Sequence, residues 1–170
     1  MLTLVIGGSA SGKSEYAERH VLKLPGERVY VATMQAFDEE SVKRIEKHRR
    51  NRAGRGFSTL EQYTDLASAE FPENTNVLLE CMSNLMANER YSPEGHGVDA
   101  VLEGVEATLQ KVPNFTIVTN EVFSGGTDYD EETLNYMKDL ADVNRYIASR
   151  ADLVVEVVAG VPNVLKGEEV

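Results

Sequence analysis

Leu2-Thr3-Leu4-Val5-Ile6-Gly7-Gly8-Ser9-Ala10-Ser11-Gly12-Lys13-Ser14 is the stretch whose reading decides the fold. Residues 2–6 form an apolar, strand-like run. Residues 7–14 match the phosphate-binding pattern G-x-x-x-x-G-K-[ST] at every fixed position: Gly7, Gly12, Lys13 and Ser14. Residues 15–24 then read as a helix, with Ala17, Val21 and Leu24 on one side. A strand, a glycine-rich turn and a helix are the context this pattern needs. Backbone N–H groups of Gly7, Gly8, Ser9, Ala10, Ser11 and Gly12 would wrap a phosphate, and the helix N-terminus adds its partial positive charge. Lys13 is expected to reach the β- and γ-phosphates of a nucleoside triphosphate, and the Ser14 hydroxyl to hold Mg²⁺.

Working outward, four more strand-like runs follow at residues 28–33, 76–80, 115–120 and 153–159. They are continuously apolar rather than alternating, as expected of strands buried on both faces of a parallel sheet. Helix-like stretches at residues 38–52, 60–69, 98–111 and 131–149 separate them. Alternating strands and helices predict an α/β protein: a P-loop NTPase fold of the RecA-like kind, with a mostly parallel central sheet flanked by helices. Residues 91–97 and 124–128 read as loops. Length bounds the organisation. With 170 residues, the expectation is a single nucleotide-binding domain over 1–170.

Composition narrows the function classes. Apolar residues make up 42% of the chain, so it is globular, and no apolar run approaches a membrane span. The N-terminal apolar stretch has no basic region before it and runs straight into the glycine-rich turn, so it reads as a core strand and not a signal peptide. The single cysteine, Cys81, excludes an internal disulfide framework and fits a reducing cytoplasm. A formal net charge of −11 argues against nucleic-acid binding.

The charge is unevenly spread. Lys43, Arg44, Lys47, Arg49, Arg50, Arg52 and Arg55 are 7 of the 17 basic residues, opposed locally by Glu46 alone. Such a run is usually a solvated helix face; a local anion site is the alternative. His48 lies inside it. If residues 38–52 are helical, Arg44, His48 and Arg52 lie along one face at i, i+4 and i+8. The arginines could then hold phosphate oxygens while the imidazole attacks phosphorus. A surface histidine is the other reading of that spacing. Glu80 closes an apolar strand, where P-loop enzymes place an acid that serves Mg²⁺. Glu121 occupies a similar position with weaker support. In open α/β sheets ligands bind at the carboxyl ends of the strands, where both acids fall.

These residues together resemble a known family. The segments Gly7 to Glu18, Tyr30-Val31-Ala32-Thr33-Met34-Gln35, Arg44-Ile45-Glu46-Lys47-His48-Arg49 with Arg52, Thr59 with Glu61, Leu78-Leu79-Glu80-Cys81 with Asn88, Thr119-Asn120-Glu121-Val122, and Val143-Asn144 follow in order. In that order the pattern is similar to the bifunctional adenosylcobinamide kinase/adenosylcobinamide-phosphate guanylyltransferases of cobalamin assembly, over essentially the whole chain. The resemblance implies two reactions: phosphorylation of the corrinoid adenosylcobinamide by ATP or GTP, then transfer of GMP from GTP to that phosphate with release of pyrophosphate. It implies that His48 carries GMP as a phosphoramidate and that Lys13, Ser14 and Glu80 serve the triphosphate and metal. It further implies nucleotide contacts from Arg44, Arg49, Arg52 and Glu61, and a homotrimer.

The chain departs from the family pattern in places. Ala53 and Phe57 stand where proline and tryptophan are usual, and residues 53–57 look one residue longer. Phe123-Ser124-Gly125-Gly126 replaces a Gly-x-Gly followed by proline, and Asp142 lies in an altered helix. These changes leave the nucleotide chemistry intact and bear on the acceptor. Two other readings stay open at this stage: a P-loop kinase for another small hydroxyl substrate with His48 structural, and a non-catalytic nucleotide-binding relative.

Overall fold

The computed structural model describes residues 1–36, 38–123 and 128–168. In chain order the elements are β1 (Leu2–Gly7), α1 (Lys13–Lys23), β2 (Arg28–Ala32), α2 (Glu39–Arg52), β3 (Ser58–Glu61), a 3₁₀ turn (Leu66–Ser68), β4 (Asn76–Glu80), α3 (Met82–Tyr91), α4 (Val98–Lys111), β5 (Asn114–Asn120), α5 (Glu131–Arg150), β6 (Leu153–Val158) and β7 (Val161–Lys166). The strands make one sheet in the order β3-β2-β4-β5-β1-β6-β7. Strands β1 to β6 are mutually parallel and β7 returns antiparallel to β6. This is the predicted mostly parallel sheet flanked by helices, of the P-loop, RecA-like kind.

Successive residues of each central strand enter opposite faces of the sheet, and both faces are covered. Leu4, Val31, Leu79, Ile117 and Val154 join one buried cluster with Leu85, Met86, Val105 and Leu140 from the helices α3, α4 and α5. Val5, Tyr30, Leu78, Val118 and Val155 join the other with Tyr16, Ala17 and Val21 of α1. That is why the strands read as unbroken apolar runs.

Register aligns the carboxyl ends. Gly7 pairs with Asn120, and Ala32 pairs with Glu61 on one side and Glu80 on the other. Helix α2 starts at a reciprocal cap: Asp38 Oδ1 accepts from the Ser41 N–H at 2.7 Å and Ser41 Oγ accepts from the Asp38 N–H at 3.0 Å.

One predicted element is corrected. Residues 60–69, expected as a helix, divide into the end of β3 and the 3₁₀ turn, separated by Asp65 at φ 49°. The free edge of β2 takes Ser58–Glu61 as a parallel partner, and tertiary pairing overrides helix propensity. Two elements had no counterpart in the sequence reading. Helix α3 follows β4 with a single intervening residue, Cys81, whose side chain makes no capping hydrogen bond. Strand β7 is exposed along its whole length and contains Pro162, which is tolerated on an edge strand. Of the loop expected at 124–128, residues 124–127 lie outside the described residues.

Gly104 of α4 lets that helix lie against the 3₁₀ turn: a Cβ there would stand 2.7 Å from Leu66 Cβ. Gly104→Val is expected to lower stability by about 1–3 kcal/mol through overpacking. Urea unfolding followed by circular dichroism measures this, and an unchanged midpoint would contradict the packing described.

Candidate active site

The phosphate loop leaves β1 and enters α1 at Gly12, which has φ 91°. A side chain at Gly12 would approach Gly160 Cα to 3.2 Å, and the Gly160 N–H donates to the Ser11 carbonyl at 2.8 Å. The β6–β7 turn therefore braces the loop from outside. Lys13 Nζ folds back to donate to the Gly8 carbonyl at 3.0 Å. Burial pushes the Lys13 ammonium below its usual pKa, against the opposing influence of Cys81 and Glu80. The Ser14 hydroxyl donates to Glu80 Oε1 across the top of the sheet. The other carboxylate oxygen, Glu80 Oε2, is buried and makes no hydrogen bond among the described residues; Ser11 Oγ is in the same state. Buried polar atoms are rarely left so. An acid with one spare oxygen beside a serine hydroxyl suits a hard cation such as Mg²⁺.

Thr33 explains the Ala32-Thr33 segment of the sequence pattern. Its buried hydroxyl donates to the Cys81 carbonyl at 2.9 Å, and its Oγ1 accepts from the Cys81 N–H at 2.8 Å. Asn88 Nδ2 donates to the Thr33 carbonyl at 2.7 Å. These bonds lock the ends of β2 and β4 together and hold Glu80 in place.

Helix α2 lies over this edge. Its inward stripe is Ser41, Ile45, His48 and Arg52, spaced by four, three and four residues. Arg44 is exposed and ion-paired with Glu40, so the face expected as Arg44-His48-Arg52 is rotated slightly, with Arg44 on its flank. Arg52 is buried and stacks on Tyr30, its Cζ 3.4 Å from the ring centroid. Arg52 Nε and Nη1 are buried without hydrogen-bond partners among the described residues. Arg49 is ion-paired with Glu61 at the end of β3.

Two cavities meet at His48. The larger, of about 540 Å³, lies between the phosphate loop and α2. Ala10 to Ser14 line it on one side, and Arg44, Lys47, His48 and Arg55 on the other. The smaller, of about 60 Å³, is a slot lined by Tyr30, Met34, Ile45 and Cys81, with Arg49, Arg52, Glu61, Glu80 and His48 at its polar positions. His48 belongs to both walls. Lys13, Ser14, Glu80, Glu61, Arg44, Arg49, Arg52 and His48 are thus all brought together. Gly7, Gly8 and Ser9 line neither cavity. Glu121 lines neither cavity, and its Oε1 accepts from the Phe123 N–H at 2.8 Å.

One pair escaped the sequence reading. Glu18, buried one helical turn beyond Ser14, pairs with Arg55 at 2.8 Å. The i, i+4 relation to Ser14 was the signal that could have found it. Arg55 lies in the 53–57 segment noted as unusual, and Phe57 of that segment packs on the α1-side core. The pair therefore ties the end of α2 to the phosphate-loop helix. The other departure, Asp142, pairs with Arg145 on the exposed face of α5.

A phosphate loop with its lysine, a serine-bonded strand-end acid, and a histidine facing the loop from a basic helix define a P-loop nucleotide-dependent transferase. The family model described as "Cobinamide kinase / cobinamide phosphate guanyltransferase" matches residues 3–165, and the chain belongs to that family. The chain is 31% identical over 172 residues to the bifunctional adenosylcobalamin biosynthesis protein CobP of Pseudomonas aeruginosa, covering 99% of each. It is 31% identical over 179 residues to the bifunctional adenosylcobalamin biosynthesis protein CobU of Escherichia coli, covering 95% of this chain and 97% of that one. Among solved structures, the P4 protein from bacteriophage phi6 in complex with ADP aligns over 96% of this chain and 52% of its own, with a TM-score of 0.44 and 12% identity.

Burial raises the pKa of the Glu18 carboxyl, with Glu80 adding to the effect, and Arg55 opposes both. Arg55→Ala leaves that carboxylate buried without its partner. The folded state then holds a proton at Glu18 more tightly than the unfolded chain does. Stability therefore falls as pH rises above the ordinary glutamate range. The expected penalty is about 1–3 kcal/mol at pH 8 and smaller at pH 5, measured by urea unfolding at both. A penalty independent of pH would contradict the pairing.

Proposed function

We propose that this chain phosphorylates adenosylcobinamide with ATP or GTP and then attaches GMP from GTP to the resulting phosphate through a guanylylated His48. The observation that carries the reading is the placement of His48 in the wall shared by the two cavities, between the phosphate loop and the slot containing Arg52 and Glu80. The triphosphate would occupy the larger cavity, with Lys13 on its β- and γ-phosphates and Arg44 on its flank. The base would enter the slot against the flat Tyr30–Arg52 stack. There the spare donors of Arg52 and the spare oxygen of Glu80 offer polar contacts at its edge. Glu61 and Arg49 close the slot as an ion pair.

In the transfer step a ring nitrogen of His48 attacks the α-phosphorus. A P–N bond forms, the bond from that phosphorus to the bridging oxygen of the β-phosphate breaks, and pyrophosphate leaves. The acceptor's phosphate oxygen then attacks the same phosphorus, the P–N bond breaks, and the GDP-linked product departs with His48 restored. Ser14 and Glu80 would hold Mg²⁺, which neutralises charge on the phosphates when bound. In the kinase step Lys13 and the loop N–H groups position the γ-phosphate for attack by the acceptor hydroxyl.

A homotrimer belongs to the same proposal. Its support is the apolar β6–β7 hairpin, where Val158, Val161 and Leu165 are 57%, 66% and 57% exposed. A cytoplasmic location is part of the reading, supported by Cys81 being a free, buried thiol. Among the described residues no helix is long and apolar enough to cross a membrane.

The direct test incubates the protein with Mg²⁺ and GTP labelled at the α-phosphate. Acid-labile, base-stable label is expected on the wild type and is expected to fall about a thousandfold or more in His48→Ala. Absence of label on folded wild-type protein would leave a γ-phosphate kinase in place of this reading. Sedimentation equilibrium tests the assembly: a trimer is expected for the wild type and monomers for Val161→Glu/Leu165→Glu. Wild-type monomers would refute the trimer.

A further inference from the structure

The nucleotide cavities leave a second, larger system of clefts unexplained. Helix α3 buries Met82, Leu85, Met86 and Glu89 and turns Asn84, Ala87 and Tyr91 outward at i, i+3 and i+7. Three clefts of about 280, 560 and 380 Å³ follow that outward face. They adjoin one another: Ala87 lines all three, and Tyr91 lines the second and third. They also join the nucleotide site, because Asn84 lines the slot beside His48 as well as the first two clefts. Arg44 lines both the phosphate cavity and the first cleft.

The chemistry changes along this path. The phosphate cavity carries Lys13, Arg44, Lys47 and Arg55. Along the trough, Arg44 at the inner mouth is the single basic residue among the described lining residues, and acids such as Asp38, Glu94 and Glu132 rim it. A polyphosphate is repelled there; a neutral or cationic molecule is not. The walls are rich in carboxamides and phenols. Gln35 and Asn84 make no side-chain hydrogen bonds among the described residues, and a carboxamide can both donate to and accept from another. Tyr91 is 53% exposed and lies against Tyr136, with ring centroids 6.2 Å apart. Tyr136 is fixed by donating its hydroxyl to the Ser83 carbonyl at 2.7 Å, and Asn120 by donating to Ser83 Oγ at 2.5 Å. The far wall is held to α3 by Arg90, which pairs with Glu132 and Asp139 of α5.

We propose that the trough along the outward face of α3 is the acceptor site, taking the amide-fringed corrinoid ring with its reacting arm directed past Asn84 toward His48. This rests on the transferase reading above. The acceptor is a macrocycle edged with carboxamides around a cobalt centre, so a long trough of amides and phenols whose single basic residue is Arg44 at the inner mouth complements it. The nucleotide is separated from it by charge rather than by a wall.

The two half-reactions give the test. Guanylylation of His48 by GTP needs no acceptor; transfer of GMP onward does. Ala87→Trp fills the trough, and Tyr91→Ser removes an exposed ring without disturbing the core. Both variants are expected to form protein-bound GMP from α-labelled GTP at the wild-type rate and with unchanged KM for GTP. In both, KM for adenosylcobinamide phosphate in the transfer step should rise about tenfold or more. The same shift is expected in the Kd for adenosylcobinamide measured by equilibrium dialysis without nucleotide. Unchanged acceptor KM and Kd in both variants, with guanylylation intact, would overturn the trough assignment alone. Failure of the wild type to form protein-bound GMP would instead overturn the transferase reading beneath it.

Discussion

The hydrogen bond from Ser14 to Glu80 is the contact on which the rest of the site depends. Ser14 sits in the first turn of α1 and Glu80 at the end of β4, with β5 between β4 and β1 in the sheet. The bond can form only if three parallel strands end at one level, which the registers of β1 with β5 and of β5 with β4 secure. Thr33 and Asn88 tie the neighbouring strand end to the same point. The acid therefore stands on rigid backbone on both sides. Its second oxygen, buried without a hydrogen-bond partner among the described residues, is the kind of group that a ligand or cation satisfies.

Helix α2 is attached by different means. Its inward stripe contains one aliphatic side chain, Ile45, and its remaining anchors are polar. Arg52 lies buried on Tyr30, Arg49 meets Glu61, and Arg55 just beyond the helix meets the buried Glu18. Exposed ion pairs contribute little and are screened by salt, so the Arg49–Glu61 pair holds weakly. The Arg52 stack and the half-buried Glu18–Arg55 pair are better shielded. A helix held this way is easier to move than one seated on a large apolar face, and His48, the proposed carrier of GMP, rides on it. The basic charge that makes the helix a poor core element is what a triphosphate needs opposite the phosphate loop.

Much of this was legible from the residues. The phosphate loop, the buried parallel strands and the boundaries of α4 follow from local pattern, because both sheet faces are covered and the helices are amphipathic. The positions of Lys13, Ser14 and Glu80 were legible for the same reason, each being tied to an element end, whereas spacing alone left His48 open as a surface histidine and the family resemblance singled it out. Information that depends on which strands are neighbours was not. Glu61 faces Glu80 across Ala32 only because β3 pairs with β2, and residues 60–69 carry helix-compatible composition that pairing overrules. Helix α3 starts without a side-chain cap and buries the polar Ser83, Asn88 and Glu89 beside its apolar residues, which blurs its apolar stripe, and β7 is an edge strand exposed along its length. The family resemblance supplied cobinamide and guanine, which no spacing could.

The division of charge across the site follows from these attachments. An acidic chain clusters Lys13, Arg44, Lys47 and Arg55 around the cavity between α2 and the phosphate loop. Past Arg44 the described lining residues are neutral or acidic along the whole of α3. A polyanionic triphosphate and a less anionic acceptor could therefore approach His48 through separate cavities without competing for one pocket. Because the imidazole stands at the shared wall, a guanylyl group carried there, as proposed, would pass to the acceptor without crossing bulk water. In the proposed reaction, proximity of this kind would replace a bimolecular encounter of two phosphate-bearing substrates, which repel each other in solution, with two steps at one fixed nitrogen.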